Sequence, residues 1–149
     1  MDMKPEPQVF TLEEANALVP QLRDLVGKQL ARRADIEDRL RSLAETTGEM
    51  PTEITPPELS DTPPVRALKR DLLEKIGVYQ EAWGEVERMG AVVKDPRIGL
   101  VDFFGHVDGK AVWLCWKYGE DEIAHYHALD EGFGARKRIG MSIKHRLLN

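Results

Sequence analysis

Gly99–Arg136 reads GLVDFFGHVDGKAVWLCWKYGEDEIAHYHALDEGFGAR and decides the fold. Its apolar residues alternate with a period of two. Ile98 to Phe104 and Ala111 to Tyr118 are rich in β-branched and aromatic residues, the composition of strands. Asp108-Gly109 between Val107 and Lys110 is the preferred two-residue hairpin turn, since both central positions tolerate positive φ. Gly119 and Glu120 make a second turn. Glu122 to His127 then returns as a third strand or as a single amphipathic turn of helix, and Asp130 to Gly134 is loop. Upstream, Ala91-Val92-Val93 forms a short strand before Asp95-Pro96. The stretch holds two of the three tryptophans, the single cysteine and three of the four histidines.

Within the hairpin, Val112, Leu114 and Trp116 share one face while Trp113, Cys115 and Lys117 share the other. Both faces are largely apolar, so both need cover. Helices can cover one. A second protomer or the C-terminal loop must cover the other, which makes a homodimer the expected assembly.

The cover comes from the N-terminal side. After a loose leader with Pro5 and Pro7, Thr11-Leu12-Glu13-Glu14 is a capping box, with Thr11 as N-cap and Glu14 at N3. Leu12, Ala15, Leu18, Leu22, Leu25, Leu30, Ile36, Leu40 and Leu43 follow mostly three or four apart, and charges fill the opposite face. Pro20 either kinks this helix or sits in the first turn of a new one. Residues 46–64 hold five of the nine prolines and read as a long loop. Val65, Leu68, Leu72, Ile76, Tyr79, Trp83, Val86 and Met89 mark a second helix, close to a heptad seam and so to a coiled coil. Gly90 ends it as a C′ residue would. Two such helices pack as an antiparallel hairpin, because neither buries its stripe alone.

The fold expected is therefore α+β: a long antiparallel helical hairpin packed on a small antiparallel meander sheet. It is read as a single domain, with helix over 11–46, Pro-rich loop over 47–64, helix over 65–89, sheet over 91–127, then loop and basic tail over 128–149. A chain of 149 residues with 42% hydrophobic and 32% charged content suits one such domain. The formal net charge of −5 argues against general nucleic-acid binding. No apolar run approaches the roughly 20 residues that span a bilayer. MDMKPEPQ lacks the layout of a signal peptide. One cysteine cannot form an internal disulfide, so the cytoplasm is the expected compartment.

Several segments together resemble a family of short bacterial and archaeal proteins known as domain of unknown function 2203. They are Phe10 to Pro20, Lys94-Asp95, Gly99 to Phe103, Leu114 to Lys117, Gly119-Glu120, Tyr126-His127, and Gly132-Phe133 through Arg136. The resemblance implies no particular activity, cofactor or partner. It singles out Asp102, Glu120, His127 and Arg136 as polar positions in an apolar framework, and leaves His125 outside the pattern.

The residues themselves offer two candidate sites. On a strand, His125 and His127 point the same way, so both imidazoles can reach one divalent metal ion. Asp102, His106, Glu122 or Asp130 would supply a third ligand, and an open fourth position would make hydrolysis the reaction class. On a helix the two histidines would diverge. Alternatively Asp102, Glu120, His127 and Arg136 line a pocket beside Trp116, with Arg136 gripping an anionic small ligand. Against this stands an internal network in which Arg136 pairs with Asp102 or Glu120 and pins the last loop to the sheet. Cys115, between Leu114 and Trp116, reads as a buried small hydrophobe rather than a nucleophile. Gly105 to Lys110 lacks the spacing and the following Ser or Thr of a phosphate loop. Arg136, Lys137, Arg138, Lys144 and Arg146 make the last 14 residues basic; a solvated tail is the default reading, with contact to an acidic partner or RNA as the alternative.

The first functional expectation is a non-enzymatic interaction or assembly module that associates with a second copy or another protein. The other is a small metal- or anionic-ligand-binding protein, extending to a hydrolase, centred on His127.

Overall fold

The computed structural model describes residues 8–107 and 109–140. The leader prolines, Asp108 of the expected turn, and Lys144 and Arg146 of the basic tail lie outside the described residues. The class is α+β, with two long packed helices and a five-stranded antiparallel sheet.

The helices begin as the capping box dictates. Thr11 Oγ1 accepts the Glu14 N–H at 3.1 Å and Glu14 Oε1 accepts the Thr11 N–H at 2.9 Å. Helix α1 runs only Leu12–Ala17, and α2 runs Val19–Thr47. The single helix expected over 11–46 is thus two. Pro20 has no N–H to donate back along α1, so the chain turns at Leu18 and the proline falls in the first turn of α2. Helix α3 runs Pro63–Arg88. Gly90 closes it at φ +95°, donating its N–H to Glu87 O at 2.9 Å. A Cβ on Gly90 would lie 2.6 Å from the Phe10 ring, so both backbone angle and space require glycine.

The chain divides into two compact units. Lys28–Gly84 is a helical pair with a connecting loop. Gln29 Nε2 donates to Tyr79 O at 2.7 Å, Lys75 pairs with Asp35, and Arg39 pairs with Asp71. Rising numbers on α2 meet falling numbers on α3, so the pair is antiparallel. Its core is Ile36, Leu43, Val65 and Leu72, with Leu40, Ile54, Leu68, Ile76 and Tyr79 packed around them. These are mostly the stripe positions read from the sequence.

The other unit comprises residues up to Gly27 and from Glu85 onward. Its sheet is a meander in chain order: β1 Val92–Asp95, β2 Leu100–Val107, β3 Lys110–Lys117, β4 His125–Ala128 and β5 Lys137–Arg138. Of the two alternatives for Glu122 to His127 the strand forms, over His125–Ala128. One point differs from the sequence reading: the expected loop and tail after 128 contain a 3-10 turn, Phe133–Ala135, and strand β5. Val107 stands opposite Lys110, and Gly109 sits at φ +78°, as a two-residue hairpin connection requires.

One face of this sheet is the core. Val101, Phe103, Val112, Leu114 and Trp116 are buried there, with Phe10 edge-on to Phe103 at 5.0 Å. Asn16 of α1 accepts the Ile123 N–H at 2.7 Å, and Tyr118 lies against Gly27 of α2. Gly105 lets Leu114 and the Phe10 carbonyl come close, since a Cβ there would meet each at 3.1 Å.

Candidate functional site

The opposite face of the sheet carries the polar and titratable cluster. Register places Val92, Asp102, Cys115, His125 and Arg138 in one row across all five strands. The next row sets Phe104, Trp113 and His127 side by side. Directly paired residues share a face, and diagonal neighbours two positions on are within reach of long side chains. His127 on β4 and Asp102 on β2 flank β3 one row apart, and their side chains meet across it.

Asp102, Cys115 and His127 are wholly or almost wholly buried, at 0%, 0% and 3% exposure. Their Oδ, Sγ and imidazole nitrogen atoms lie within 4.8 Å of one another. His127 Nδ1 is 2.9 Å from the Ala128 carbonyl, which can only accept, so this nitrogen carries a proton and donates it. Nε2 is thereby turned onto Asp102 Oδ2 at 2.8 Å. The other carboxylate oxygen, Oδ1, is buried with no hydrogen-bond partner among the described residues. Burial is the largest influence on Asp102 and raises its pKa above 3.8; His127, the Cys115 thiol and Lys94 pull it down without cancelling that. Burial, reinforced by the Asp102 charge, pushes the Cys115 thiol up to about 12. That setting suits a protonated thiol or a metal-bound sulfur, and is the wrong one for a free nucleophile.

A second polar group borders the first. Burial pushes the Glu120 carboxyl up, but the Arg136 guanidinium and the Lys117 N–H outweigh it and hold the pKa below its usual value. Arg136 forks onto Glu120 at 3.1 and 2.8 Å, and the Lys117 N–H donates to Glu120 Oε1 at 2.7 Å. This is the internal network read as the alternative to a ligand pocket, with Glu120 as the partner. Arg136 also lies 3.8 Å from Cys115 Sγ. His125 Nδ1 is buried without a hydrogen bond, 3.6 Å from Glu120 Oε2. Burial, then Arg136, lowers its pKa, so the ring is neutral at neutral pH.

The structure thus brings Asp102 and His127 together and sets Glu120 and Arg136 beside them. His125 shares their face but faces Glu120, outside the group of three converging atoms. Trp116 is placed on the core face, and only its indole N–H reaches the site's margin, donating to the Glu120 carbonyl at 2.9 Å. His106, Glu122 and Asp130 are exposed and stand outside the cluster. Cys115 is buried, as the sequence predicts, and its place opposite Asp102 is the feature not drawn from the sequence. Its signal was the hairpin turn itself: counting back from Val107 opposite Lys110 puts Cys115 opposite Asp102.

Fold and site together define a small α+β protein with a buried carboxylate–thiol–imidazole cluster on the face of its sheet away from the core. The chain belongs to the family described as Uncharacterized conserved protein (DUF2203), whose model matches residues 8–139 and so contains every residue of the cluster. No curated protein and no solved structure matches. No helix among the described residues is long and apolar enough to cross a membrane.

Proposed function

We propose that this protein binds one divalent transition-metal ion through Asp102, Cys115 and His127. The carrying observation is the convergence of three unlike ligand atoms from buried residues, with one Asp102 oxygen left unsatisfied. A buried acceptor without a partner costs about 1–3 kcal/mol, and a buried carboxylate costs more. Apolar side chains of similar volume would serve a purely structural role better.

The local arrangement suits a ligand set. Metal-binding histidines commonly donate their second nitrogen to a carbonyl or carboxylate, which fixes the ring, and the Ala128 carbonyl does this for His127. Bonds of about 2.0–2.3 Å hold tetrahedral ligand atoms roughly 3.3–3.7 Å apart, so His127 and Asp102 need to part by about half an ångström. Charge also closes. Ionised Asp102, Cys115 and Glu120 carry three negative charges, and a divalent cation with Arg136 carries three positive ones. Thiolate and imidazole favour zinc or ferrous iron over magnesium or calcium, which prefer all-oxygen sets. Three protein ligands leave a fourth position for water or substrate, the layout that makes a metal a Lewis acid.

Competition against a chromophoric chelator tests this. One zinc equivalent is expected for the native sequence, with a large affinity loss in His127→Ala. Equal, weak zinc retention by both would reject the proposal.

Self-association remains a second reading. It is favoured by the half-buried Phe104 and Trp113, 5.7 Å apart on this same face, beside Val92 at 38% exposure. Sedimentation equilibrium tests it: a monomer at micromolar concentration would end it.

A further inference from the structure

Arg136 is fixed from three directions. Its two terminal nitrogens fork onto Glu120, its guanidinium carbon lies 4.4 Å from the centre of the Phe133 ring, and Nη1 points at Cys115 Sγ from 3.8 Å. Glu120 is itself tied to the β3 backbone through the Lys117 N–H. A planar guanidinium held this way cannot turn from the sulfur without breaking the fork.

An ion-pair partner alone would not need that placement. Arg136 has Glu120 for charge, yet one N–H is spent on sulfur, a weak acceptor while it is a thiol. The contact gains strength when the sulfur is a metal-bound thiolate, because the bond then joins a cation to an anion. A hydrogen bond to a ligating sulfur withdraws electron density from it, and the metal keeps more of its positive charge.

We infer that Arg136 is a positioning residue that donates an N–H to the metal-bound Cys115 sulfur and sets its donor strength, with Glu120 holding it in place. The inference rests on the metal-binding reading above. Its consequence is a more strongly Lewis-acidic ion than the same three ligands would give alone. A water or a carbonyl oxygen in the fourth position is polarised accordingly.

Cobalt(II) is the probe, because a thiolate–cobalt bond gives a near-ultraviolet charge-transfer band whose energy follows the sulfur's donor strength. The native protein is loaded with one equivalent and compared with the double variant Glu120→Gln, Arg136→Met. That variant removes the N–H···S contact while leaving the pair's net charge at zero. The band is expected at longer wavelength in the variant, since its sulfur electrons are held less tightly. A purely structural Arg136 would lower the melting temperature and leave the band where it was, which would overturn the inference. If the double variant does not fold, Arg136→Lys keeps the charge but loses the planar fork, and the same test applies. A shift to longer wavelength supports the inference, and an unmoved band rejects it. Native protein that takes up no cobalt, or takes it up without a thiolate band, fails at the earlier step and removes the metal-binding reading itself.

Discussion

His127 Nε2 stands 2.8 Å from Asp102 Oδ2, and both side chains are buried on the sheet face opposite the core. The Ala128 carbonyl accepts a hydrogen bond from Nδ1–H, so Nε2 is the nitrogen turned toward Asp102. The pair is therefore set up to hold either a shared proton or a cation.

Replacing His127 with Ala separates these roles. Without metal, the change leaves Asp102 buried with neither oxygen paired to the ring, and stability is expected to fall by about 1–3 kcal/mol. With zinc present the loss is expected to be larger, because ligand-linked stabilisation of the native protein disappears as well. Chemical denaturation with and without zinc checks this. Equal losses under both conditions would mean that the pair is structural only.

Cys115→Ser keeps the shape of the side chain and exchanges a soft ligand for a hard one. Zinc affinity is expected to fall by at least the roughly tenfold to hundredfold typical of lesser, outer-shell changes. Magnesium binding should not appear in its place. Calorimetry with each metal measures both, and unchanged zinc affinity would remove the sulfur from the ligand set.

Metal uptake should release protons. With the thiol pushed up to about 12, Cys115 is protonated at neutral pH and must lose that proton to bind. Apparent affinity is expected to rise about tenfold per pH unit for each proton displaced. Calorimetry in buffers of different ionisation enthalpy counts the protons, and a count of zero would contradict a thiolate ligand.

Acid should expose the Glu120–Arg136 clamp. Glu120 titrates below its ordinary 4.5 because the Arg136 fork and the Lys117 N–H outweigh its burial. A depressed carboxylate contributes stability that is complete above its unfolded value and is lost as pH falls through its folded value. The melting temperature of the native protein should therefore drop more steeply below about pH 4.5 than that of Glu120→Gln. Parallel curves would show that the clamp adds nothing.

Much of this architecture is legible in the sequence because its signals are local. Thr11 and Glu14 announce a helix start within four residues, and Gly90 announces an end. Leu72 and Ile36 betray a buried stripe by spacing alone. The break at Leu18 needed one further step, since Pro20 fits either a kink or a first turn until tertiary packing chooses. For the site, the two-residue connection between Val107 and Lys110 fixes the β2–β3 register, and with it the pairing of Asp102 with Cys115. The later pairings have no such anchor. An irregular segment separates Lys117 from His125, and a 3-10 turn precedes β5, so the positions of His127 and Arg136 depend on long-range packing. Cys115 reads as a small hydrophobe because burial is its commonest fate, and it is buried; only the strand register adds that it stands opposite Asp102.

The most direct test is elemental analysis of untagged protein purified without chelators or a metal-affinity column. Near-stoichiometric zinc or iron, lost in Cys115→Ser and His127→Ala, is the result expected from a centre built of Asp102, Cys115 and His127. Native protein that carries no transition metal and retains none after reconstitution would contradict it.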